Sequence, residues 1–297
     1  MKAIVYFSLA AIFWGLNFHF AKLMLAETDF LEAGFWRFLF AVAPLFLWVI
    51  KDLPTWQMIR SNLVGISLIG VLGLFGFNLF FFLGMVNSPA INGALIINIT
   101  PILTLLLSRM ILKTPLQARQ MLGVGISLLG VIFLITKGDL VNLTQLSFSM
   151  SDLLLLGASL SFAFQNIWFK QYGQKIPNRA FTFLTNLLCL ICFALVLPFS
   201  SVGSSGALSA SYWGAALGIG LLGTSVAYYF WNQGIHLSSA NHASIYGNLI
   251  PLSTAFFSIL LGERLFSYHW ISGGIIILGV IVLQAKKQMP PERSTNS

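Results

Sequence analysis

The chain has 297 residues, of which 57% are hydrophobic and 8% charged, and its formal net charge is +8. A soluble domain of this length carries about 25% charge, so the composition excludes one and indicates an integral membrane protein. The positive balance does not indicate nucleic acid, because the basic residues are scattered through short connections and form no single face.

Runs of about 20 apolar residues cross a bilayer as helices, and ten such spans are predicted. The first, Ala3 to Leu25, exceeds a signal peptide's apolar region and leads directly into another span, so it is expected to be retained. Ala33 to Ile50, Leu63 to Met85, Ala90 to Leu112 and Arg119 to Thr136 complete a first group of five. Asp152 to Tyr172, Phe181 to Ser200, Tyr212 to Gly234, Ala240 to Gly262 and Tyr268 to Ala285 form a second. Residues 137–150 are the longest connection and are read as a linker, not a domain. The expected organisation is a first repeat over 1–136, the linker, a second repeat over 151–285, and a polar cytoplasmic tail over 286–297. Cys189 and Cys192 form a C-x-x-C inside an apolar run with nothing to complete a metal site, so no metal or cofactor is expected.

Ten spans place both termini on one side. Lys2, Lys51, Arg60, Arg109, Lys113, Arg119, Lys170, Lys175, Arg179, Lys286, Lys287 and Arg293 then share that side, against Lys22, Arg37, Lys137 and Arg264 on the other. Twelve against four marks the terminal side as cytoplasmic. The expectation is therefore a multi-pass protein of the cell (inner) membrane, acting as a monomer or homodimer.

Eleven residues of the third and fourth spans, Gly70, Leu72, Gly73, Phe80, Gly84, Ser88, Ala90, Asn98, Pro101, Thr104 and Ser108, recur unchanged 150 positions later. At an offset of 149, Gly125-Ile126 and Leu129-Gly130-Val131-Ile132 recur in the last span. Five spans per half is an odd number, so the halves enter the membrane with opposite orientation. Such inverted repeats are how transporters place a site near the midplane. Asn98-Ile-Thr-Pro101 and Asn248-Leu-Ile-Pro251 mark that centre. Each proline removes a helix hydrogen bond and frees the carbonyl four residues back, that of Ile97 or Gly247. Such an opening persists in hydrocarbon only where protein, water or ligand re-satisfies it.

Phe13-Trp14-Gly15-Leu16-Asn17-Phe18, Trp36-Arg37-Phe38, the prolines of the fourth and ninth spans, and Gly262-Glu263-Arg264-Leu265 together resemble the drug/metabolite transporter superfamily, specifically its EamA-domain family of ten-helix carriers. The resemblance covers nearly the whole chain and implies transport of amino acids, amines, drugs or other small metabolites, commonly outward, with no particular substrate. One departure is Leu112-Lys113-Thr114-Pro115, which replaces a Gly-Glu-Arg-Leu after the fourth span and sets the two halves apart there.

Polar groups within spans are costly and face a bundle interior or a cavity. The candidate substrate-binding residues are Trp14, Asn17, Phe18, His19, Asn78, Asn98, Gln165, Asn166, Tyr228, Tyr246 and Asn248, with Pro101 and Pro251 as helix breaks or gates. Asn17 and Gln165 occupy matched positions in oppositely directed spans, and the aromatics suit an apolar or cationic ligand. His19 could exchange a proton or pair with an anion. Lys22 and Arg37, beside Glu27, Asp29 and Glu32, are expected in an ion-pair cluster at the outer rim, with a substrate anchor as the alternative. The competing class is a membrane-embedded enzyme acting on a lipid or peptide. Against it, the chain holds no H-E-x-x-H, no paired intramembrane aspartates and no nucleophile with an adjacent base.

Overall fold

The computed structural model describes residues 2–113, 117–139, 149–173, 175–200, 207–237, 246–247 and 249–284. The described residues are helical with no strand. Seven helices are long and apolar enough to cross a membrane: α1 (Lys2–Leu25), α2 (Phe30–Val49), α3 (Leu63–Met85), α4 (Ala90–Ile111), α6 (Met150–Tyr172), α7 (Asn178–Phe199) and α8 (Ala210–Leu237). Three shorter apolar helices complete the bundle among the described residues: α5 (Ala118–Ile135), α9 (Leu249–Leu260) and α10 (Ser267–Gln284). Asn248, most of the linker and the tail lie outside the described residues.

Local chemistry sets the helix ends. Asp29 caps α2 by accepting from the amides of Leu31 and Glu32, and Ser149 and Asp152 form a capping box on α6. Asp29 starts α2 at Phe30, three residues ahead of the predicted start. The helix of α4 pauses at Asn98 and Ile99 and resumes at Thr100. The Ile97 carbonyl, the one Pro101 was expected to free, accepts from the Thr100 hydroxyl at 2.7 Å. Thr100→Val is therefore expected to orphan that carbonyl and lower stability by about 1–3 kcal/mol, read as a lower unfolding temperature of the purified protein.

Both α3 and α8 contain a π-helical stretch, Leu68–Phe75 and Leu221–Val226. Hydroxyls serve the wider turn in α8, where Thr224 and Ser225 donate to the carbonyls of Ile219 and Gly220, five residues back, at 2.8 and 3.1 Å. Such stretches collect at functional sites, and here each presents a glycine to a polar side chain. A Cβ on Gly223 would lie 1.7 Å from Asn17 Oδ1, and one on Gly73 would lie 3.0 Å from Gln165 Cβ. Glycine permits these close approaches of α1 to α8 and of α6 to α3.

The last helices of the two sequence groups, α5 and α10, pack on each other over much of their length. A Cβ on Gly130 would lie 2.9 Å from the Ile276 amide nitrogen, and one on Gly279 would lie 2.5 Å from the Ser127 amide nitrogen. Ser127 also donates to the Ile276 carbonyl at 3.1 Å.

Candidate functional site

At the centre of the bundle α1, α2, α3 and α4 contribute Trp14, Asn17, Phe18, Arg37, Phe77, Phe81 and Ile97 to one cavity, and α6, α8 and α9 contribute Phe162, Tyr228 and Ile250. Ile97 is the last helical residue before the break of α4 and Ile250 lies next to Pro251 in the first turn of α9, so the α4 break and the start of α9 reach this wall. The space for water-sized occupants is about 30 Å³, room for roughly two waters at about 10–15 Å³ each. A metabolite enters only if the halves of the wall part.

Trp14 is the hub of the aromatic wall. Its ring meets Phe162 and Tyr228 edge-on at 5.6 and 5.3 Å and lies 4.8 Å from Trp231. Its indole N–H donates to the Gly223 carbonyl at 3.1 Å, and Asn17 Nδ2 donates to the same oxygen at 3.2 Å. Asn17 Oδ1 is buried without a hydrogen-bond partner, as is Gln165 Oε1 at the matched position. An unpaired buried acceptor costs about 1–3 kcal/mol, so each of the two amides carries a stability cost.

Arg37, expected at the outer rim, is instead 1% exposed in the cavity wall. The earlier start of α2 puts seven residues ahead of it, about 10 Å of helical rise. The acids expected beside it are engaged elsewhere: Glu27 accepts from the Ser209 amide at 2.8 Å, Asp29 accepts from the Ser200 hydroxyl at 2.7 Å, and Glu32 accepts from the Trp36 indole at 3.3 Å. Arg37 Nε donates to the Thr224 hydroxyl at 2.9 Å, and the guanidinium carbon lies 5.7–5.9 Å from the ring centres of Phe38, Phe81 and Phe82. Tyr228 is a close neighbour of both Arg37 and Asn78. Among the described residues no carboxylate pairs with Arg37. Aromatic faces contribute about 0.5–2 kcal/mol each, while burying an ion costs several kcal/mol. The site is under-neutralised.

The remaining candidates occupy several environments. Asn78 is buried outside the cavity lining, near Tyr228, and donates to the Leu74 carbonyl at 2.8 Å. Asn98 is buried at the α4 break but is not part of the cavity lining, and Pro101 follows it at the resumed helix. Gln165 backs Gly73, Asn166 is half-buried, and Tyr246 stacks on Phe7 at 5.3 Å, all three outside the lining. Pro251 is buried near the start of α9.

His19, one residue from Phe18, turns away from the cavity. Its Nε2 meets the Thr254 carbonyl at 3.1 Å and its Nδ1 meets Glu263 Oε1 at 3.2 Å. Glu263 Oε2 accepts from the Ser258 hydroxyl at 2.7 Å. Both partners of the ring are acceptors, so the pair is fully bonded only when it carries a proton beyond one neutral imidazole and one carboxylate. Three aromatics of the wall drew no attention in the sequence, Phe77, Phe81 and Phe162. Nothing but their share in phenylalanine-rich runs distinguished them.

An apolar helix bundle closed around a small aromatic and polar chamber defines a polytopic membrane protein with an internal cavity. Its lineage is specific: the chain belongs to the EamA-like transporter family, whose model matches residues 1–136 and 149–284, within the drug/metabolite transporter superfamily. It is 28% identical over 284 residues to the uncharacterized transporter YyaM of Bacillus subtilis, covering 94% of this chain and 92% of that one. It is 25% identical over 287 residues to a protein of Salmonella typhimurium named "Probable amino-acid metabolite efflux pump", covering 92% of each. A crystal structure 17% identical in sequence shares the fold with a TM-score of 0.71, over 95% of both chains.

Proposed function

We propose that the chain is a secondary carrier of small metabolites, such as amino acids, amines or drug-like solutes, working as an exporter or exchanger by alternating access. Its ten spans form two five-helix units, 1–136 and 151–285, inserted with opposite orientation and joined by 137–150, with both termini cytoplasmic. The observation that carries this reading is the central cavity, walled by residues of both units that include Ile97 at the α4 break and Ile250 beside Pro251, and too small to admit a metabolite without movement.

The contacts support the same arrangement. Residues 127 and 130 correspond to 276 and 279 at the sequence offset of 149, and Gly130 meets Ile276 while Gly279 meets Ser127. That is the reciprocity a two-fold axis between α5 and α10 requires. Gly73 against Gln165 and Gly223 against Asn17 repeat the pattern. Polar contacts between helix ends also agree with the assigned faces. Lys22 with the Met85 and Val86 carbonyls, Glu27 with Ser209, Asp29 with Ser200, and Asn92 with His269 join ends assigned to the outer face. Asp52 with Arg179, and Asn178 with Gln233, join ends assigned to the inner one.

The test is counterflow in liposomes with labelled amino acids, amines and amphipathic acids. A carrier gives saturable, trans-stimulated flux of an unaltered solute. Chemical conversion of a lipid or peptide by the purified protein, with no flux, would replace this reading with an enzyme.

A further inference from the structure

We infer that the solute carried through the central cavity is an organic anion: an apolar, aromatic-compatible body bearing a carboxylate that docks on Arg37. The inference rests on the carrier reading for what the bound anion is, namely cargo. It rests on the structure for why it is an anion.

Arg37 is 1% exposed, inside the cavity wall, and of its five guanidinium N–H groups only the one on Nε has a hydrogen-bond acceptor among the described residues, the Thr224 hydroxyl. The remaining four form the planar fork that matches a carboxylate. Nothing already in the spans neutralises it. The eight acidic residues of the chain are Glu27, Asp29, Glu32, Asp52, Asp139, Asp152, Glu263 and Glu292, and each lies in a connection, in the tail or within the end turn of a predicted span. A permanent cation in a site of this polarity marks a substrate or ion pathway. The rest of the wall specifies the rest of the ligand. Trp14, Phe18, Phe77, Phe81 and Phe162 offer aromatic surface, and the unpaired Asn17 Oδ1 offers one acceptor for a donor on the solute. A small inorganic anion would leave that surface unused, and a cation would meet Arg37 as a like charge.

Phenylacetate, phenylacetamide and phenethylamine share one aromatic body and differ in charge. With the purified full-length protein, the acid is expected to raise the unfolding temperature most, the amide weakly and the amine not at all. In liposomes the acid should show counterflow at least tenfold above the amine. Arg37→Gln is expected to abolish the acid's effect while leaving the amide's, and Arg37→Lys to restore part of it. An equal or larger shift from the amine, no shift from any of the three, or an undiminished acid preference in Arg37→Gln would overturn the inference. A shift from chloride equal to that from phenylacetate would overturn its organic part. If Arg37→Gln fails to fold, the charge series on the unaltered protein decides alone. Flux of amine or amide without acid would leave the carrier standing and remove the anion site. Binding of the acid without flux of any solute would do the reverse.

Discussion

Gly279→Ala is expected to lower the protein's stability by about 1–3 kcal/mol, the usual range for overpacking a tight interface. The added carbon would meet Ser127 Oγ at 2.2 Å, the Ser127 amide nitrogen at 2.5 Å and the Gly123 carbonyl at 2.7 Å. Two of these three atoms are backbone, which no rotamer change can move. Relief therefore requires α5 and α10 to separate, which also stretches the Ser127 to Ile276 hydrogen bond of 3.1 Å. Gly274→Ala, on the same helix, has nothing within 4 Å of the new methyl and should be neutral or slightly stabilising. The check is the unfolding temperature of both variants in one detergent. Equal values would mean that the α5 and α10 backbones do not approach as described.

Asn17→Leu is expected to cut saturable flux at least tenfold while leaving the unfolding temperature unchanged or higher. The two halves of that outcome have separate causes. Leucine matches asparagine closely in shape but offers no polar atom, so the only unpaired amide oxygen in the cavity lining is removed along with its desolvation penalty. The Gly223 carbonyl keeps its bond from the Trp14 indole, so the closure of α1 on α8 retains a polar tie. A merely structural Asn17 would give the opposite signature, in which stability falls and flux per folded molecule is preserved. Counterflow measured alongside thermal unfolding on the same preparation separates the two.

Much of this architecture is written in local chemistry. The predicted spans match the described helices within a few residues over most of the chain because hydrocarbon admits only helices whose backbone bonds are internally satisfied. The proline break in α4 was legible for the same reason. Its repair was not, since Thr100 is one of many hydroxyls and only the folded geometry brings it to the Ile97 carbonyl.

Arg37 shows how a small boundary shift changes a functional reading. With α2 starting at Ala33, an arginine one turn in belongs to the rim and to the acids around it. With Asp29 as the cap, the same arginine lies two turns in, and each of those acids has another partner. The contact between His19 and Glu263 was equally hidden, because its partners are separated by most of the chain. It also gives physical content to the sequence departure after the fourth span. Residues matching His19 and Glu263 in the other half are Ile167 and Lys113, a pair that cannot make the same side-chain contact. On the alternating-access reading, the two faces therefore open against different resistances.

Whether one cavity serves both faces is decided by replacing Ile97 with cysteine in a background carrying Cys189→Ala and Cys192→Ala. Membrane-impermeant thiol reagents are then added to oriented vesicles from either side. The account predicts modification from both faces, with reagent applied first on one side depleting what the other side can label. Modification confined to a single face, or none from either, would contradict it.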